Sequence, residues 1–282
     1  MLDLLAAAFI PYCNIDQRPF TMKIILSRKG FDTAHGNCGS PILPDGTLLS
    51  MPIPSDDKLA YDGIAYRGMP YDKLLEQLYP KKNYHCCHLD PDIREGVRIE
   101  PIDSWMPAFG PTHNVLGILR NAGVKVGDLF LFFGLFCKTE EFNGSIRFMK
   151  REKPLQIIYG YLQVGKILDK SEEIANYQWH PHASGNYDEQ KNALYLPSDK
   201  LNFCPSLPGY GILSYRENRV LTKPNENNAT WKEHRFLNPE NLLCSKRKNS
   251  STGGGLYYKG QWQELVLKES EEANKWALEL IT

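Results

Sequence analysis

Residues 128–134, Asp-Leu-Phe-Leu-Phe-Phe-Gly, restrict what this chain can fold into more than any other segment. Five consecutive large apolar side chains leave no polar face. A strand presents alternate residues to opposite sides, so a strand of this composition must be covered above and below. The run is too short to stand as a helix of its own. It therefore predicts a central strand in a sheet that is packed on both faces. The preceding residues, 112–122 (THNVLGILRNA), read as a helix with Thr112 at the N-cap, Val115, Leu116 and Leu119 on its apolar face, and Gly123 at the stop. Residues 156–168 (QIIYGYLQVGKIL) supply a second strand pair, with Gly160 and Gly165 as points of bulge or bend.

Shorter elements surround this centre. Lys23–Ser27 is a β-branched run that leaves the core into the polar Arg28-Lys29-Gly30-Phe31-Asp32. Residues 36–56 carry turn residues around a hairpin at Asp45-Gly46. Residues 70–79 place Leu74, Leu75 and Leu78 at helical spacing behind Pro70. Strands at 194–196, 210–214 and 265–267 and a closing helix over 271–281 complete the chain. Residues 223–255 read as surface loops. The fold class expected is α+β, a mixed and partly barrel-like sheet with a few flanking helices. Residues 22–282 form one domain, and 1–21 read as an appended segment, disordered or a start-codon artefact.

Formal charge is zero, from 33 basic and 33 acidic residues. No global field draws the chain to polyanions, so nucleic-acid contact must use a local basic patch. The seven cysteines are scattered without a CxxC pair, which argues against a disulfide framework and for a reducing, cytoplasmic setting. No stretch approaches the roughly 20 apolar residues of a membrane helix, so no membrane is expected as a partner. A dinucleotide GxGxxG, a phosphate-loop GxxxxGK[ST], HExxH and GxSxG are all absent.

The polar motifs stand in extended contexts. Arg28 and Lys29 follow a strand, and Gly30 permits close backbone approach, which suits capture of phosphate or carboxylate; an Arg28–Asp32 pair on a solvated turn is the plainer reading. In His85-Cys86-Cys87-His88-Leu89-Asp90-Pro91-Asp92, strand alternation puts His88, Asp90 and Asp92 on one face. That set fits a divalent metal or acid–base work, or else a turn with a capping Asp. The cysteine spacing matches no standard zinc motif. In His180-Pro181-His182 two imidazoles share one face of an extended segment, suited to metal binding, phosphate contact or proton transfer. Trp105 and Phe109 precede the helix at Thr112 and would either stack a base beside the helix N-terminus or fill core. Glu264 opens the last strand and could place a carboxylate at a site; a surface Glu is the plainer reading.

The order helix, V-x-x-G-D, apolar strand and returning strand, with the turn at Gly127-Asp128, resembles the small barrels of the PUA, ASCH, EVE and YTH modules, which bind RNA or modified bases. MKIILSRKGFD, SPILPDGTLLSMPIP, HLDPD, GDLFLFFG, IIYGYLQVG, HPH and the terminal Q-E-φ-V together resemble the third nucleotide modification associated domain family, whose members lie near DNA base-modification systems. The Cys86-Cys87 pair and the extra N-terminal segment depart from that pattern. The resemblance implies a nucleotide or nucleic acid as partner and directs attention to Arg28, Lys29, Asp32, His88, Asp90, His180, His182 and Glu264. Two expectations follow. One is an enzyme on a nucleotide or base, with Arg28, Lys29, Asp32 and Trp105 binding substrate and His88, Asp90, His180, His182 and Glu264 catalytic; His88, Asp90, His180 and His182 are then the candidates for a divalent metal. The other is a non-catalytic binder of modified bases in DNA or RNA.

Overall fold

A computed structural model describes residues 22–32, 39–185, 187–244, 250–252, 255–258, 260 and 263–282. The N-terminal segment 1–21, Asn249, Gly253-Gly254 and Gln261-Trp262 lie outside the described residues.

The two-sided strand is longer than its apolar run: β3 spans Leu129–Phe142, and the second half turns polar as it leaves the core. It is the centre of an eight-stranded sheet. The other members are β1 (Ile24–Arg28), β2 (Ser40–Ile42), β4 (Ser145–Phe148), β5 (Leu155–Leu168), β6 (Leu194–Pro197), β7 (Tyr210–Ile212) and β8 (Glu264–Val266). The main path runs β6-β5-β3-β1-β8, with β2 and β4 also on β3 and β7 on β5. The pairs β1–β3 and β2–β3 are parallel and the others antiparallel, so the sheet is mixed. Over the described residues it does not close into a barrel.

Alternation along β3 divides the core as the sequence requires. Leu129, Leu131 and Phe133 join one cluster with Ile24, Leu26, Trp231 and Trp276. Phe130 and Phe132 join another on the opposite face with Ile25, Phe109, Leu116 and Leu119. The helices are α1 (Tyr71–Leu78), α2 (His113–Asn121), α3 (Ser171–Ile174), α4 (Pro181–Ser184) and α5 (Glu271–Ile281). The residues of α5 cover the first face and those of α2 the second. A third cluster around Tyr61, Tyr71 and Leu74 holds α1.

Three sequence expectations change: residues 223–255, expected as surface loops, place Trp231, Phe236, Leu237 and Leu242 in the buried core. Residues 156–168 lie in one strand of 14 residues, Leu155–Leu168, not a strand pair. The bends expected at its glycines appear as bulges: the register shifts between Phe132 and Phe133, opposite Gly160 and Ile158, and between Leu196 and Pro197, opposite Lys166 and Val164. Each leaves one residue of β5 (Tyr159, Gly165) without an opposing partner, which lets a long strand coil without breaking. His180-Pro181-His182 is also not extended throughout. His180 is the N-cap of α4, Pro181 takes the first helical position, and the His180 ring accepts the backbone N–H of His182 at 3.3 Å. Pro at the first turn is pre-organised for a helix, and this local bond decides the conformation. Among the described cysteines, Cys86 and Cys87 are free thiols and Cys204 is disulfide-bonded. No described helix is long and apolar enough to cross a membrane.

Candidate active site

At the carboxyl end of β1 the chain leaves the sheet, and Gly30 turns it with a φ of 79°, a backbone state that glycine adopts freely. A cavity of about 130 Å³ opens there, lined by Arg28, Lys29, Asp32, His88, Asp90 and His182 together with Gly110 and Thr112 at the approach to α2. Residues from four separate segments thus meet on one surface. Six of the polar positions expected from sequence line it, and two more touch them from behind.

His88 stands on the short pairing of Ile53–Pro54 with Cys87–His88. Its Nδ1 lies 2.7 Å from Asp57 Oδ2. A carboxylate oxygen only accepts, so Nδ1 carries a proton and donates, and in the neutral imidazole the lone pair is on Nε2. His182 is buried and its Nδ1 lies 2.9 Å from Asn192 Oδ1. The Asn192 amide nitrogen donates to the His182 carbonyl at 2.9 Å, which fixes the amide orientation. Nδ1 is therefore the donor here also, and Nε2 again keeps its lone pair. Burial, with the neighbouring His180 and His88, pushes His182 down to about 3 against the pull of Asp90 and Asn192, so its ring is neutral at ordinary pH. Tyr187 stacks on it, with ring centroids 4.8 Å apart. Gly110 admits the ring from the other side: a Cβ at that position would collide with the imidazole.

Asp90 is the anion of the set. Its Oδ1 accepts the Gly110 N–H at 2.7 Å and faces His180 Nε2 at 3.4 Å; Oδ2 lies 4.0 Å from Lys29 Nζ. Burial works against its charge, but the His180 hydrogen bond and the positive surroundings outweigh it and hold the carboxyl well below the usual range. Ligand atoms of His88, Asp90 and His182 all lie within 4.8 Å of one another, so these three can hold a metal ion.

The remaining expected residues take supporting positions. His180 is fully buried and does not line the cavity. Its Nδ1 accepts from His182 and its Nε2 faces Asp90, so it ties two of the three together. Lys29 lies between carboxylates, 3.4 Å from Glu264 Oε1, with its ammonium 4.4 Å from the Phe109 ring centroid. Glu264 is fully buried, accepts from Ser27 Oγ at 3.1 Å, and is pushed up by burial against the opposing effect of Lys29 and Ser27. Arg28 pairs with Asp32 at 3.3 Å.

Asp92 departs from the expected shared face. The strand ends at His88, the Asp90–Pro91 peptide is cis, and Asp92 pairs with Arg98 at 2.6 Å, away from the cavity. Trp105 does not line the cavity, and the Phe109 ring is core. Sequence reasoning missed Asp57, Asn192 and Gly110. Asp57 stands 31 residues before its histidine and Asn192 ten after its own, in loops with no periodic signal.

The family model for nucleotide modification associated domain 3 matches residues 23–268. The chain belongs to this family. The family match contains every residue of the cavity just described. Among curated proteins and among solved structures, none matches the chain.

Proposed function

We propose that this member of the nucleotide modification associated domain 3 family is an enzyme that modifies a nucleotide or a base within nucleic acid at the β1-end cavity. One observation carries the reading: a strand-end cation pair, Arg28 and Lys29, shares a single cavity with His88, Asp90 and His182. Phosphate recognition needs the first group, and proton transfer or electrophilic activation needs the second. Arg28 lines the cavity and would meet a phosphate there, with Asp32 paired to it at 3.3 Å. Lys29 supplies positive charge from the wall, and Glu264 holds it there.

The volume restricts what reacts. Pockets that enclose a whole small ligand measure about 300–1,000 Å³. At about 130 Å³ this cavity takes one end of a nucleotide, and the rest lies outside its mouth. Incubation with nucleotides and with oligonucleotides carrying ordinary and modified bases, followed by mass spectrometry of the nucleosides, tests the reading. The expected result is a mass change that disappears in His88→Ala and Asp90→Asn. Tight binding of modified oligonucleotides with every mass unchanged would favour the non-catalytic binder. Of the aromatic residues that such a binder could use, Phe109, Tyr159 and Tyr161 are buried in the sheet's own core, while Trp105 and Trp179 are part-exposed and do not line the cavity.

A further inference from the structure

We propose that His88, Asp90 and His182 form a mononuclear site for a divalent first-row transition metal, with Asp57 and Asn192 as its outer supports and the cavity side left open. The inference stands on the donor geometry and is independent of what the cavity modifies.

The donor set is the first ground. Two imidazoles and one carboxylate select a transition ion over magnesium or calcium, which take oxygen ligands. Both imidazoles hold Nδ1–H in a hydrogen bond to an oxygen, Asp57 for His88 and Asn192 for His182. In the neutral rings that arrangement leaves Nε2 as the donor atom, and it is the outer bonding that metal-binding histidines use. Asp90 Oδ1 accepts the Gly110 N–H and faces His180, so Oδ2, 4.0 Å from the Lys29 ammonium, is the oxygen offered for a ligand bond.

The spacing is the second. Bonds of about 2.0–2.2 Å around one ion bring ligand atoms to roughly 3–3.5 Å from each other. The three groups already lie within 4.8 Å. His88, more exposed than His182, can close the remainder by a small ring rotation.

The third ground is the open side. Three protein ligands facing a cavity, and not a fourth side chain, characterise a site that binds water or substrate. His180 lies beside the others but does not line the cavity: its Nδ1 accepts the His182 N–H, and its buried Nε2 faces Asp90 Oδ1 at 3.4 Å. It is a positioning residue.

The test uses the full chain stripped of metal with a chelator and titrated with Co²⁺ alone, read by visible absorption and by elemental analysis, with Zn²⁺ and Mg²⁺ as competitors. One Co²⁺ per chain, displaced by Zn²⁺ and not by Mg²⁺, is the expected result. His88→Ala and His182→Ala abolish it, the exposed His85→Ala does not, and Asp57→Ala weakens it about 10–100-fold without touching a ligand. Because a His182 variant could lose its fold, imidazole ¹⁵N spectra of the wild type with Zn²⁺ give a second reading, in which the Nε2 atoms of His88 and His182 shift. Sub-stoichiometric Co²⁺ in the wild type overturns the proposal. So does one-to-one binding that survives both histidine variants, or ¹⁵N shifts confined to other histidines.

Discussion

Gly110 and His182 occupy one position in space between them: the imidazole lies where the side chain of any other residue at 110 would begin. The same glycine donates its backbone N–H to Asp90 at 2.7 Å. One residue therefore sets the distance between two of the three cavity groups. Gly110→Ala should displace the His182 ring and cost about 1–3 kcal/mol, the usual penalty for overfilling a packed site. Denaturant unfolding measures the cost, and an unchanged midpoint would show that the ring yields freely.

Lys29 and Glu264 form a buried pair, one-tenth and not at all exposed at their side chains. Removing one partner of such a pair leaves an uncompensated charge, and Lys29→Met should destabilise by about 3–5 kcal/mol. Lys29→Met with Glu264→Leu should recover most of the loss, since neither charge then remains. A double-mutant cycle by thermal or denaturant unfolding gives the coupling directly. Additive losses would mean that the two do not act as a pair.

His180 and His88 should separate cleanly. His180 is fully buried and bonds α4's first turn, so His180→Ala should cost about 1–3 kcal/mol of stability. His88 is half-buried and its loss should be felt in the cavity's chemistry, with little change in unfolding midpoint. Equal stability losses would contradict the division between a positioning residue and a cavity residue.

In metal-free protein, His182 should make the fold acid-sensitive. Its folded value lies near 3, below the unperturbed 6.5, so the unfolded chain binds the extra proton first. Stability from this group is complete above about pH 6.5 and falls as pH drops toward 3. His182→Asn should flatten the stability slope between pH 6.5 and 4. An unchanged slope would assign the acid sensitivity to other groups.

Much of the architecture was legible because apolar periodicity is local. The run at 129–133, the helix faces at 74–78 and 115–119 and the strand at 265–267 each announce themselves within a dozen residues. Arg28, Lys29, His88, Asp90 and His182 were legible as polar residues in stiff contexts. What the sequence withheld is long-range. Whether a sheet closes depends on strand pairing between distant segments, and β1 meets β3 across about a hundred residues. Asp57 and Asn192 acquire meaning only when the fold sets them against a ring nitrogen. His180-Pro181-His182 misled because an imidazole can cap a helix, an option that alternation along a strand does not contain.

Presentation of a phosphate by Arg28 to the cavity that holds His88, Asp90 and His182 is what the proposed function requires first. Isothermal titration of nucleoside 5′-monophosphates and short oligonucleotides, each against the matching unphosphorylated nucleoside, tests it most directly in wild type and Arg28→Ala. The phosphorylated ligands should bind the wild type at least about tenfold more tightly, about 1.4 kcal/mol, and Arg28→Ala should remove the difference. Equal affinity for both kinds of ligand in the wild type, or a preference that survives Arg28→Ala, would contradict it.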